Sequence, residues 1–203
     1  MDQRVTLTWT RAINGYRIDY PSAEAEPNHY CAILYAGQYL EIQNPEASYG
    51  TVVPRNRRTC QYELELGKSD VLCELANSAP TADGVVAFAN KWGLLHDRDE
   101  SRPGCSVHRF YRMGSLAWFC LHMMSAGRWA EATELLSGWN PPAGHLRLTD
   151  GGRSVIREAD DLMNFCALEL FDMVANRAGV LRCPRQGCYG FFRQGRSTRR
   201  TCS

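Results

Sequence analysis

The sequence has no long apolar run. Its most apolar stretch, residues 116–126, is too short to cross a bilayer and lies close to Arg109, Arg112 and His122, so no membrane span is expected. The opening Met1-Asp2-Gln3-Arg4 lacks the charged-then-apolar layout of a secretory signal, which points to a cytoplasmic chain. Also missing are Gly-x-Ser-x-Gly, a glycine-rich phosphate loop, His-Glu-x-x-His, and a Cys–His pairing in a nucleophile context. Those absences leave an enzyme with little support. Acidic pairs such as Asp97/Asp99 and Asp160/Asp161 read instead as helix starts or solvated faces, the second pair complementing the dipole in the first turn of the last helix. Lysine is nearly absent, with 2 against 21 arginines. Such a ratio would suit bidentate phosphate contacts, but codon bias explains it better. There is no internal repeat and no low-complexity segment.

What is present fits a globular protein. A chain of 203 residues with 44% apolar content can bury one good core, as one domain with an appendage or as two small domains. Nine cysteines would suggest disulfides in a small secreted chain, but the number is odd and six are scattered singly. Cys31, Cys60, Cys73, Cys105, Cys120 and Cys166 fall in apolar patterns, where a reduced thiol behaves as a small buried hydrophobe.

The first third alternates with period two. Val5, Leu7 and Trp9; Tyr16, Ile18 and Tyr20; Cys31, Ile33 and Tyr35; Leu40 and Ile42; and Cys60, Tyr62, Leu64 and Leu66 each place apolar side chains on one sheet face. Asn14-Gly15 and Ala36-Gly37 supply turns, so an antiparallel meander is expected. Beyond residue 79 the period becomes helical. Pro80-Thr81 offers an N-cap for a stripe of Val85, Val86, Phe88, Ala89 and Trp92 that stops at Gly93. Further helices are expected over 106–126, closed by Gly127, over 129–137, and from about Ile156 to Ala178-Gly179. Between the last two, residues 145–152 form a brief extended segment and turn. The expected fold class is α+β: an N-terminal antiparallel β-sheet over 1–69, a helical domain over 70–180, and a small, partial C-terminal zinc-finger module over 181–203.

That last segment carries the most direct functional signal. Cys183 and Cys188 can bend around one tetrahedral ion, and Cys202 arrives after a loop of hairpin length, giving three of four corners. Tyr189, Phe191 and Phe192 are the only apolar packing so small a unit has, so a metal is expected to supply the rest of its stability. The same 23 residues hold Arg182, Arg185, Arg193, Arg196, Arg199 and Arg200 and no acid. Subtracting those six from the net charge of +1 leaves −5 for residues 1–180, an acidic body with a basic tip.

At these positions the sequence resembles the CGNR-type, ABATE-like zinc-finger proteins of bacteria. Cys183, Cys188, Phe192, Arg199, Arg200, Cys202 and Ser203 match the finger's pattern. The helix running into Cys183 and the stretch Phe88-Ala89-Asn90-Lys91-Trp92-Gly93-Leu94-Leu95 are also similar, so the resemblance covers about residues 70–203. It implies a transcription regulator with a structural zinc finger that contacts DNA. The family's final Cys-Gly-Asn-Arg, which carries the fourth ligand, is absent here and the loop to Cys202 is shorter than usual. Three readings stay open: the chain is cut short, the ligand comes from elsewhere, or no metal binds. Cys105-Ser-Val-His108 and Cys120-Leu-His122 each pair a thiol with an imidazole, although a helical histidine is more often a packed residue than a ligand.

Two function classes follow. In the first, zinc held by Cys183, Cys188 and Cys202 folds a tip whose Arg185, Arg193, Arg196, Arg199 and Arg200 approach DNA phosphates. Three thiolates around a zinc ion leave a charge of about −1, which does not need six arginines to offset it. In the second, the chain is a non-enzymatic module that senses a small-molecule effector or receives a protein partner, with the finger as a structural clamp. Trp9, Tyr16, Tyr20, Tyr30, Tyr35 and Tyr39 would then line a groove, although such residues more often pack one sheet face.

Overall fold

Alternation in the first third does build strands, but they pair differently from a simple meander. The computed structural model describes residues 4–20, 50–78, 81–96, 104–137, 145–149, 154–185, 188 and 190–194. Strand β1 (Arg4–Ala12) and strand β2 (Tyr16–Asp19) are consecutive yet belong to different sheets. Gly15, with φ of 76°, turns a corner between them instead of closing a hairpin. A side chain there would meet the Asn90 amide, whose Oδ1 accepts from the Tyr16 N–H at 2.7 Å. Strand β3 (Thr51–Pro54) pairs antiparallel with β2, and β4 (Thr59–Glu65) pairs antiparallel with β1. Leu7 faces Leu64 and both are buried, while Thr8 and Glu63 face each other on the exposed side. This is the period-two pattern at work. The expected strands around 31–35 and 40–42, the turn at Ala36-Gly37, Cys31 and the tyrosines at 30, 35 and 39 lie outside the described residues.

Five helices follow among the described residues: α1 (Val71–Ser78), α2 (Ala82–Trp92), α3 (Val107–Ser125), α4 (Trp129–Ser137) and α5 (Leu162–Ala175). Thr81 caps α2 by accepting from the Gly84 N–H at 3.0 Å, and Gly93 ends it at φ of 89°. Gly127, at φ of 75°, ends the turn after α3. None of these helices is long and apolar enough to cross a membrane. The architecture is α+β, with antiparallel N-terminal strands, helices, and a small two-stranded hairpin near the C-terminus.

The last helix starts later than its apolar pattern suggests. Residues 154–158 are strand β7 (Ser154–Glu158), paired antiparallel with β6 (His145–Thr149) and parallel with β1, giving the order β4-β1-β7-β6. Val155 and Ile156 are β-branched and lose side-chain freedom in a helix, so the extended state costs them less. Helix α5 begins where Asp161 caps it, accepting from the Asn164 N–H at 2.7 Å. Because β7 joins β1, the N-terminal strands and the helical region share one sheet across residue 69, and their buried residues form one cluster. The short strand β5 (Cys105–Ser106) ties the second sheet to the start of α3 in the same way, by pairing with β3.

The stretch around Asn90 to Leu95 is where sheet and helices lock together. Helix ends leave carbonyls without intrahelical partners. Here the sheet supplies donors: Arg11 Nη1 to the Lys91 carbonyl at 2.8 Å, Trp9 Nε1 to the Leu94 carbonyl at 2.9 Å, and the Tyr62 hydroxyl to the Trp92 carbonyl. Lys91 Nζ and Trp92 Nε1 both donate to Glu74 of α1. Helix α5 sits deepest, and residues 164–170 are buried without a break. Its one charged residue in that run, Glu169, is 1% exposed, and a carboxylate so placed needs a cationic partner.

Candidate metal and nucleic-acid site

The partner of Glu169 comes from the cysteine segment. Strands β8 (Val180–Arg182) and β9 (Phe191–Arg193) form an antiparallel hairpin that pairs Val180 with Arg193 and Arg182 with Phe191. The ladder extends at both ends, with the Gln194 N–H donating to the Gly179 carbonyl and the Cys183 N–H to the Gly190 carbonyl, each at 2.8 Å. Cys183 and Cys188 therefore stand on one hairpin loop. Within that loop the Cys188 N–H donates to the Arg185 carbonyl at 3.0 Å. Cys183 is buried at 4% exposure, Cys188 is half-buried, and neither is in a disulfide.

The hairpin is part of the main core. Val180 and Phe191 are buried in it, and Phe191 meets Trp118 of α3 edge-on at 5.6 Å. Asn77 at the end of α1 grips the backbone of β9 with both amide atoms: Nδ2 donates to the Phe191 carbonyl at 2.9 Å and Oδ1 accepts from the Phe191 N–H at 2.8 Å. The expectation that its own aromatics are all the apolar packing this segment has is corrected for the described hairpin. Its apolar packing comes from α1 and α3 as well as from its own aromatics.

The arginines divide into two groups. Arg182 and Arg185 are exposed. Arg193 turns inward, with 15% of its side chain exposed, Nη1 3.5 Å from Glu169 Oε1 and Nη2 3.8 Å from Asp172 Oδ2. Its guanidinium is thus turned toward two carboxylates of α5. Arg196, Arg199, Arg200 and Cys202 lie outside the described residues. Sequence reasoning missed Asn77 and Glu169, since nothing local marks an exposed helix-end amide or one acid on an apolar helix as belonging to a segment more than twenty residues away.

Two thiols on one turn are a donor set that suits zinc, and the loop can supply two corners of a tetrahedron. Among the described residues no three His, Cys, Asp or Glu side chains gather around one point, so neither His108 nor His122 joins both cysteines there. His122 instead stacks on Trp118 with ring centroids 5.2 Å apart and planes 6° from parallel. Burial lowers its pKa, and the nearby Arg182 and Arg128 guanidinium groups lower it further. A second polar pair, His96 Nδ1 with Asp161 Oδ2 at 2.5 Å, fastens the chain after α2 to the cap of α5.

The thiols predicted to be plain core are so wherever they are described, apart from Cys60, which is half-buried and accepts from Arg11 Nε at 3.4 Å. Burial pushes Cys73 and Cys120 up to about 12 and Cys105 up to about 11, and holds Cys166 well above the usual thiol range. Low-pKa, accessible thiolates are what nucleophilic or redox chemistry requires, and these four are the reverse. Comparison of the chain with family models, curated proteins and solved structures gave no match.

Proposed function

We propose that the β8–β9 hairpin is the root of a zinc-holding tip that contacts DNA, in the manner implied by the resemblance to CGNR-type regulators. The observation that carries this reading is the placement of Cys183 and Cys188 on one hairpin loop, with the exposed Arg182 just before the first and the exposed Arg185 between them. In this reading Cys183, Cys188 and Cys202 hold the ion, and zinc's part is structural, fixing the loop and neutralising the thiolates. Arg182, Arg185, Arg196, Arg199 and Arg200 face phosphates, while Arg193 stays with Glu169. Arg182 replaces Arg193 in the set expected from sequence.

The alternative, a sensing or interaction module built on the N-terminal aromatics, has less support. Of the aromatics that reading names, Trp9 and Tyr16 are spent on contacts inside the fold, with the Tyr16 hydroxyl accepting from the Ala12 N–H at 2.8 Å. The test is fluorescence anisotropy with a labelled duplex at low and moderate salt. Each phosphate contact contributes a log-log salt slope of about −0.9, so Arg199→Ala/Arg200→Ala should flatten the slope by roughly two contacts. Equal, weak binding by wild type and variant would remove the DNA reading.

A further inference from the structure

We propose that Asn77 and Glu169 are positioning residues that hold the cysteine hairpin in its folded shape without any metal. For a small free-standing zinc module, metal-binding free energy is folding free energy, and the metal-free form is unfolded. This hairpin is not free-standing. Asn77 takes the place of a neighbouring strand, meeting both the N–H and the carbonyl of Phe191. Phe191 is 2% exposed and reaches Trp118, so the side chain and the backbone of one residue are both held by the body.

Glu169 fixes the other end of β9 through Arg193. A buried carboxylate with its cation removed costs far more than an exposed one, so the body gains by keeping Arg193, and with it β9, in place. Arg193 lies opposite Val180 in the ladder, which carries the restraint across to β8 and on to Cys183. The tip therefore presents its two loop cysteines in a set direction before an ion arrives. The reading of those cysteines as zinc ligands explains why the direction matters; the holding itself rests on contacts that contain no metal.

Amide hydrogen exchange on the full chain tests this, first with chelator and then with added zinc. The amides of Cys183, Phe191 and Gln194, which donate to Gly190, Asn77 and Gly179, should be protected in chelator, with the amides of α3 as internal reference. Asn77→Ala should lower protection at Phe191 by about tenfold, the size expected for losing a part-buried hydrogen-bond pair, while α3 is unchanged. Asn77→Asp keeps the acceptor for the Phe191 N–H and should recover part of that loss. Glu169→Gln should loosen Arg193 and Gln194 more than Cys183.

Hairpin amides that exchange freely in chelator and become protected only with zinc would overturn the proposal. So would an Asn77→Ala chain whose loss of protection is spread evenly over α3 and the hairpin. A wild-type chain that protects these amides in chelator yet shows no thiolate-to-metal absorption with cobalt(II) would remove the zinc reading and leave the positioning role supported.

Discussion

Glu169 and Arg193 set the sharpest contrast among individual side chains. Arg193 is 15% exposed on a buried carboxylate, whereas Arg185 stands in solvent on the cysteine loop. Removing one member of a buried pair typically costs 3–5 kcal/mol, and an exposed arginine less than about 0.5 kcal/mol. Arg193→Ala should therefore lower stability in urea by about 3 kcal/mol while Arg185→Ala leaves the midpoint in place; equal midpoints would place Arg193 in solvent. The buried thiols make a second prediction. Their folded pKa values lie above those of the unfolded chain, so the stability they contribute is intact below about pH 8.5 and is lost as pH rises toward 11–12. At about one pH unit above the ordinary thiol value each buried thiol should cost about 1 kcal/mol. Urea melts at neutral pH and at about pH 10 measure this, and a Cys120→Ala chain should show a smaller drop than wild type.

Among the elements, helix ends were the most legible in the sequence. Thr81, Gly93 and Gly127 stop or start helices because their chemistry is local: a hydroxyl that caps, and backbones that accept positive φ. The two glycines should respond differently to substitution. A Cβ on Gly127 would meet nothing within 4 Å, so Gly127→Ala should cost about 1 kcal/mol, the backbone penalty alone. On Gly93 it would lie 2.6 Å from the Thr10 carbonyl oxygen, and Gly93→Ala should cost at least twice as much in thermal or urea unfolding. Strand β7 was not legible as a strand. Its Val155 and Ile156 run into the apolar pattern of α5, and what makes them a strand is pairing with β6 along the whole of β7 and, from Ile156 on, with β1, some 150 residues away in sequence. Strand β3 escaped notice for a related reason, since four residues ending in proline show too little alternation, and its partner β2 lies across a long stretch of chain.

At the scale of the whole molecule the sequence suggested separate sheet, helix and finger regions, and the structure joins them. Strand β1 lies between β4 and β7, α2 is fastened to the sheet by Trp9, Arg11 and Tyr62, and β9 is fastened to α1 and α5 by Asn77 and Glu169. None of these links has a local signature, because each pairs residues whose separate environments look ordinary. The cysteine spacing, by contrast, was visible at once, and its meaning depends on the body that carries it. An acidic body that holds a basic, cysteine-bearing hairpin in a fixed direction is suited to presenting that tip to a polyanion. The most direct test of that account is the zinc content of the purified full chain beside its Cys183→Ser/Cys188→Ser variant. The account predicts about one zinc per wild-type chain, lost in the variant while the helical content stays the same. Substoichiometric metal that the double substitution does not change would contradict it.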